Sequence, residues 1–183
     1  MILLIWQDGN MNTKTGRSKT SPSTKIMKTS IKKGFSFGLT SGIITTLGLI
    51  VGLHSGNSTD NVIIGGIAII AIADALSDAL GIHISEEAEG GHTTREIWEA
   101  TIVTFISKFI FALMFIIPVL LLELSTAIIV CVVGGLLLIT MFSYYMAKKQ
   151  KINPYEVVLE HLVIAIIVIT ATHYIGDWVA TLG

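Results

Sequence analysis

The chain has 183 residues, of which 52% are hydrophobic and only 14% charged, with a formal net charge of -1. Soluble domains usually carry about 25% charged residues and could not bury so much apolar surface, so the composition favours a lipid bilayer as the solvent. The nearly neutral charge gives no reason to expect a nucleic-acid partner. The single cysteine, Cys131, excludes an intrachain disulfide.

Residues 7–33 are polar and basic, and they predict that residues 1–33 form a disordered cytoplasmic arm. The opening hexapeptide MILLIW is too short for a signal peptide or a membrane span. Met11 and Met27 are alternative starting residues, and the sequence does not choose between them.

Five apolar segments follow the arm, each with about the 20 residues that a helix needs to cross ~30 Å of hydrocarbon. Helix is favoured because lipid offers no hydrogen-bond partners to backbone groups. The sequence therefore predicts an all-α membrane protein whose five transmembrane helices, within the domain 34–183, lie at about 35–54, 61–84, 97–122, 125–147 and 156–181.

Lysine and arginine predict the orientation of these spans. Seven of them precede the first span, Arg95 lies in the predicted acidic loop 85–96, and three lysines follow the fourth span, whereas the other two loops have none. Basic residues therefore fall on alternate sides of the membrane. The pattern predicts an amino terminus in the cytoplasm and a carboxyl terminus outside.

Glycines recur along the first span at a spacing of four, which lets helix backbones approach closely. They form two ladders, Gly34, Gly38 and Gly42, then Gly48, Gly52 and Gly56. The ladders predict either packing within the chain or the seam of a dimer.

Two carboxylates interrupt the second span, where a charge costs at least ~2.5–3.5 kcal/mol on insertion scales. Asp74 and Asp78 are four residues apart and therefore share one helix face. Such a pair can bind a divalent cation or share a proton. Lys108 is expected at a similar depth in the third span, so an Asp74–Lys108 ion pair is the structural alternative, with Asp78 left for ion or proton binding.

Hydroxyl groups interrupt the first span in its cytoplasmic half. Ser41 and Thr45 are candidate metal ligands that line a cavity facing Asp78, together with Thr40 and Thr46. The alternative is that these hydroxyls bond back to their own helix.

Acidic and histidine side chains follow the second span, on a side where positive charge is the rule. Carboxylate and imidazole suit Mn(II), Fe(II) or Zn(II), so the candidate metal ligands are Glu86, Glu87, Glu89, His92, Glu96 and Glu99. The alternative is a solvated connector. The pairs Glu156/Glu160 and His173/Asp177 at the ends of the fifth span are either further ligands or interfacial anchors.

Two segments resemble the vacuolar iron transporter family. In FSFGLTSGIITTLGLIVGL, Gly42, Thr46 and Gly52 fit the first helix of that family. In AIADALSDALGIHISEEAE, five positions fit the second helix of the family: Ala75, Ser77, Ala79, Gly81 and Ser85. The carboxyl-terminal segment HLVIAIIVITATHYIGDWVATLG is similar to the last helix of the family. The resemblance covers roughly residues 34–183.

This chain also departs from the family pattern. The family's membrane aspartate falls on Ser41, its methionine on Asp78 and its nearby glutamate on Ile82, and only the stretch 86–99 stands in place of the longer metal-binding domain. The resemblance implies a homodimeric five-helix bundle and a proton-coupled Fe(II) or Mn(II) exchanger. An aspartate in place of a methionine favours a harder ion.

The sequence therefore predicts a divalent metal transporter in the bilayer, in the cell membrane if the organism is prokaryotic. The cation would be cargo, with no permanently bound cofactor. The alternatives are a non-transporting membrane scaffold built on an Asp74–Lys108 pair and, less favoured, a membrane enzyme. Nothing resembles a nucleophile–base pair with fixed spacing, so no enzymatic activity is predicted.

Overall fold

Long helices account for most of the chain. The computed structural model describes residues 22–182, with side chains described from Thr29 onward. Within these residues there is no strand, so the all-α fold class is confirmed for this part of the chain. The helices are α1 Pro22–Ser55, α2 Asp60–Glu89, α3 Thr94–Leu113, α4 Ile116–Leu121, α5 Leu124–Gln150 and α6 Pro154–Ala180.

Five helical segments are long and apolar enough to cross a membrane, and each overlaps a span predicted from the sequence. The segments are Thr29–Ser55, Asp60–Glu89, Thr94–Leu121, Leu124–Gln150 and Pro154–Ala180. Large apolar side chains also cover the outside of the bundle, such as Leu121 and Met141, which are 76% and 68% exposed. These properties indicate an integral multi-pass membrane protein.

The first helix begins earlier than the sequence predicted. It starts at Pro22, whose fixed φ suits the first turn of a helix, and it is held by α2 through ion pairs from Lys33 to Glu86 and Glu89. The prediction of a disordered arm therefore does not hold for residues 22–33. Residues 1–21 of that arm lie outside the described residues.

The predicted acidic loop 85–96 is a tight turn between two helices. Helix α2 continues to Glu89, and the chain reverses at Gly90 and Gly91, whose φ angles of 68° and 76° favour glycine. Helix α3 is then capped by Thr93, whose side chain accepts a hydrogen bond from the backbone of Glu96 while the Glu96 carboxylate accepts one from the Thr93 backbone. The carboxylates of this region therefore lie on helix ends and not on an open loop.

The third span is interrupted between α3 and α4. Pro118 lacks a backbone N–H and crowds the carbonyl of the residue four positions earlier, Met114, and the helix breaks at Met114 and Phe115. The sulfhydryl of Cys131 donates to the carbonyl of Phe115 across 3.8 Å. The kink suggested by Pro118 is thus confirmed as a short break in the helix.

Helix α1 lies at the centre of the bundle and contacts α2, α3, α5 and α6. A Cβ atom on Gly38 would lie 2.6 Å from the carbonyl oxygen of Thr104 on α3, and one on Gly48 would lie 2.8 Å from Val168 on α6. The first glycine ladder therefore packs against α3 and the second against α6. Both ladders therefore serve packing within the chain.

Successive long helices run in opposite directions, which gives the bundle two ends. The Lys33 end contains the α2–α3 turn, and the Ser55 end contains the α1–α2 turn. Helix α1 is parallel to α3 and α6 and antiparallel to α2, because Ser30 meets Glu86 at one end and Leu53 meets Gly66 towards the other. This arrangement brings residues from α1, α2 and α3 to the same depth.

Close packing of α1 on α3 should make Gly38 sensitive to the smallest side chain. Gly38→Ala should lower the free energy of unfolding by about 1–3 kcal/mol, because its methyl group would collide with backbone and not with a flexible side chain. Thermal unfolding in lipid nanodiscs measures the change. Gly81→Ala is the matched control, since a Cβ there meets nothing within 4 Å; equal stability of the two variants would contradict this packing.

Candidate ion-binding site

A lysine lies buried between two carboxylates in the middle of the bundle. The Nζ atom of Lys108, on α3, is 2.5 Å from Oδ2 of Asp74 and 2.5 Å from Oδ2 of Asp78, both on α2. It also donates a hydrogen bond to Oγ of Ser41, on α1, across 3.0 Å. Ser41 in turn donates to Oδ2 of Asp78 across 2.6 Å. We call these four residues the triad site, because three of them, Asp74, Asp78 and Lys108, are charged.

The contacts of the triad site correct the prediction for Asp78 and show the Asp74–Lys108 ion pair that was the structural alternative. The expected Asp74–Lys108 ion pair is present, but Asp78 is not left over, because the same ammonium contacts both carboxylates. The ammonium donates a hydrogen bond to Asp78, whereas Asp74 Oδ2 accepts none. Both carboxylates reach Lys108 because they stand one turn apart on the same face of α2.

The charges of the triad site do not cancel when all three groups are ionised. Two carboxylates and one ammonium give a formal charge of -1 in a region where isolated charge is expensive. The Lys108 side chain is 2% exposed, whereas those of Asp74 and Asp78 are 31% and 20% exposed. The two carboxylates therefore carry more negative charge than one ammonium balances, and both are partly exposed.

Gly42 makes space for the lysine stem. A Cβ atom on Gly42 would lie 3.2 Å from the Cα atom and 3.3 Å from the Cγ atom of Lys108. The absence of a side chain at Gly42 lets α3 approach α1 closely enough for Lys108 to reach Ser41. The first glycine ladder thus sets the position of the ammonium as well as the packing of the helices.

The other hydroxyls of the first span do not contact the carboxylates. Thr40 donates to the carbonyl of Ser36 across 2.8 Å, and Thr45 donates to the carbonyl of Ser41 across 2.9 Å. These bonds confirm the alternative that the hydroxyls bond back to their own helix. Thr46 is fully buried, and its hydroxyl has no hydrogen-bond partner among the described residues.

A groove begins one helical turn from the triad site and runs to the Ser55 end. It lies between α1, α2 and α6, has a volume of about 410 Å³, and extends from Thr45 and Ile70 to Ser58. Thr45 follows Ser41 by one turn on α1, and Ile70 precedes Asp74 by one turn on α2. Three glycines of the second ladder line it with bare backbone. The groove therefore links the level of the triad site with one face of the bundle.

A second group of charged residues lies at the Lys33 end. One ligand atom each from Glu86, Glu89 and His92 lie within 4.8 Å of one another, a spacing that suits a metal ion. Lys33 of α1 already binds the two carboxylates, at 3.0 Å from Glu86 and 2.9 Å from Glu89. Ser30 donates to Glu86, which is 2% exposed. This group, the Lys33 cluster, ties α1 to α2.

The remaining predicted ligands of the α2–α3 turn lie apart from this cluster. Glu87 has a side chain that is 60% exposed and lies 3.7 Å from His83. Glu96 caps α3 through Thr93, and Glu99 accepts a hydrogen bond from Arg95 across 2.8 Å. The structure thus brings together three of the six predicted ligands in this region.

Some polar contacts were missed by sequence reasoning. Lys33 was assigned to the arm, although its position just before an apolar segment and the acidic end of the next span could have suggested an ion pair. Ser143 contacts His161 across 2.7 Å between α5 and α6. At the Ser55 end, His173 contacts Ser55 and lies 3.5 Å from Asp177, so the His173/Asp177 pair helps to join α6 to α1.

Comparison with family models finds no match, and comparison with curated proteins finds none either. The resemblance to vacuolar iron transporters therefore stays a prediction from the motifs, and function has to be argued from the geometry of the site.

Removal of the ammonium from the triad site should destabilise the bundle. Lys108→Met should lower the free energy of unfolding by about 3–5 kcal/mol, because two carboxylates would lose their buried counter-charge. Adding Asp78→Asn to this variant should recover part of the loss. Lys149→Met, at an exposed lysine of α5, is the control. Chemical unfolding in nanodiscs checks the order, and a Lys108→Met variant as stable as the wild type would refute the buried pairing.

The Lys33 cluster should protect the beginning of α1 from opening. Glu86→Gln weakens the bonds from Lys33 and Ser30, so amide hydrogen exchange over residues 29–36 should speed up by roughly tenfold, the equivalent of about 1.4 kcal/mol. Glu87→Gln is the matched control on the adjacent, exposed residue. Equal exchange in both variants would mean that the cluster does not hold α1.

Proposed function

We propose that this protein is a membrane transporter that binds a cation at the triad site and carries it across the bilayer. The observation that carries the proposal is the convergence of oxygens from Ser41, Asp74 and Asp78 on one positive centre at mid-helix depth. Ionisable residues within membrane spans commonly mark ion pathways, since their cost selects against them elsewhere. The formal charge of -1 with Lys108 in place favours the attraction of a cation to the site.

The path of the cation would follow the Lys33 cluster, the triad site and the groove along α1. The Lys33 cluster would gather the ion at the cytoplasmic side, the triad site would bind it, and the groove from Thr45 to Ser58 would release it outside. This direction assumes that the amino terminus lies in the cytoplasm and the carboxyl terminus outside, as the lysines and arginines predict. Two copies of the chain would form the active unit, as the family resemblance implies.

Oxygen ligands and the family resemblance both favour a divalent metal ion as cargo, with Fe(II) and Mn(II) first. Carboxylate and hydroxyl oxygens suit hard and borderline divalent cations. Protons would occupy the same carboxylates after the cation leaves, so that metal movement in one direction is coupled to proton movement in the other.

A scaffold is the second candidate, and one observation favours it. Lys108 is almost completely buried and finds three oxygen partners within the chain, as expected of a permanent structural contact. A scaffold needs neither the partial exposure of Asp74 and Asp78 nor the adjoining groove, and for this reason we prefer the transporter.

Ion flux separates the two candidates. Proteoliposomes loaded with a metal-sensitive dye should take up Mn²⁺ in the presence of a pH gradient, and Asp78→Asn should lower the initial rate at least about tenfold, because one charged ligand is lost. Asp60→Asn, at the first residue of α2, is the matched control and should leave the rate unchanged.

The stability of the same variants completes the test. A wild-type protein without metal-dependent flux, combined with a large loss of stability in Asp78→Asn, would support the scaffold and exclude the transporter. Flux that persists in both Asp74→Asn and Asp78→Asn would place the ion elsewhere.

A further inference from the structure

The ammonium of Lys108 occupies the point where the oxygens of the triad site converge. Its distances of 2.5 Å to Asp74 and 2.5 Å to Asp78 resemble the ~2.3–2.6 Å at which oxygen ligands hold Ca²⁺, and Ser41 lies at 3.0 Å. A transported ion that uses the two carboxylates would therefore need the place that the ammonium holds.

We propose that Lys108 is a tethered competitor of the transported cation, so that the ammonium and the ion occupy the same oxygen ligands in turn. This inference rests on the proposed transport function and adds to it the step that releases the ion. When the cation binds, the ammonium gives up its contacts with the carboxylates. When the ammonium returns, it displaces the cation, and the chain never has to leave both carboxylates without a partner.

Simultaneous binding of both positive charges is disfavoured by their separation. Two positive charges within ~4 Å repel strongly in a protein interior, where the dielectric constant is far below that of water. A cation bound to the Oδ2 atoms of Asp74 and Asp78 would lie within that distance of an ammonium that contacts the same two atoms. One of the two must therefore move.

The burial of the three side chains indicates how the ion and the ammonium each reach the carboxylates. Lys108 is 2% exposed, whereas Asp74 and Asp78 are 31% and 20% exposed. The lysine stem packs closely against the backbone of Gly42 in the interior of the bundle. The ion would thus reach the carboxylates at their exposed part, while the ammonium reaches them from the interior.

A competitor also solves a problem of release. A site with a charge of -2 in a membrane would hold a divalent ion tightly and let it go slowly, because affinity is limited chiefly by dissociation. The lysine lowers the net attraction and supplies a replacement charge at the moment of release. Lys108 therefore favours a high rate of transport and not a high affinity for the ion.

The test compares Mn²⁺ binding and Mn²⁺ release. Lys108→Gln should bind Mn²⁺ at least about tenfold more tightly than the wild type, and its transport rate in proteoliposomes should fall, because the ion is no longer displaced. Lys108→Arg keeps the positive charge and should keep weak binding. Lys149→Gln serves as the control for loss of a lysine outside the site.

Chemical rescue distinguishes displacement from a purely structural role. In Lys108→Ala, millimolar ethylammonium should restore Mn²⁺ release, because a small primary ammonium fits where the lysine head group was. Tetramethylammonium, which has no N–H donors, should have no effect. A purely structural lysine would show this difference in the unfolding temperature alone, without a change in Mn²⁺ release from the folded variant.

The outcomes separate this inference from the function on which it rests. Absence of Mn²⁺ flux in the wild type would overturn both. Flux in the wild type together with weaker Mn²⁺ binding in Lys108→Gln would overturn competition and leave the transporter intact. If Lys108→Gln does not fold, the Lys108→Arg variant still decides, since tight Mn²⁺ binding there would also overturn competition.

Discussion

One buried ammonium holds three helices together in this bundle. Lys108 of α3 binds Asp74 and Asp78 of α2 and Ser41 of α1, and these contacts lie at a depth where each charged group is costly without a partner. The relative positions of α1, α2 and α3 are therefore fixed by the need to keep opposite charges together. Under the proposed function, the same need would limit which cations the site accepts, because a bound cation must leave the carboxylates no worse paired than before.

The glycines of α1 make this contact possible. Lipid supplies no hydrophobic force that drives helices together, so close van der Waals packing decides which helix surfaces associate. Gly38 and Gly42 bring the backbone of α1 against that of α3, and this approach is what allows a lysine on α3 to reach a serine on α1. Packing and chemistry at the site are thus two results of the same small residues, and substitution at Gly42 would disturb both.

The sequence predicted the spans well because their signal is long and repeated: every segment had enough apolar residues for a crossing, and each is helical, with one short break at Met114 and Phe115. It also offered an Asp74–Lys108 ion pair as the structural alternative, since depth can be counted from the ends of two spans. It failed where tertiary partners decide the outcome. Lys33 was assigned to a disordered arm because its partners, Glu86 and Glu89, lie more than fifty residues away. The turn at Gly90 and Gly91 separates Glu96 from Glu86, which no count of acidic residues could reveal.

The contacts between α1 and α2 differ between the two ends of the bundle. Towards the Lys33 end, Lys33 binds Glu86 and Glu89, and the triad site joins the helices near their middle. Towards the Ser55 end, the described contacts between them include Leu49 and Leu53 against the bare backbone of Gly66. Separating charged partners costs several kcal/mol, and at the other end Ile63 and Ile67 of α2 are fully buried in the apolar core, where burial of each side chain stabilises the bundle by about 1.5–3 kcal/mol. Helix α2 is therefore held by charge at one end and by apolar packing at the other.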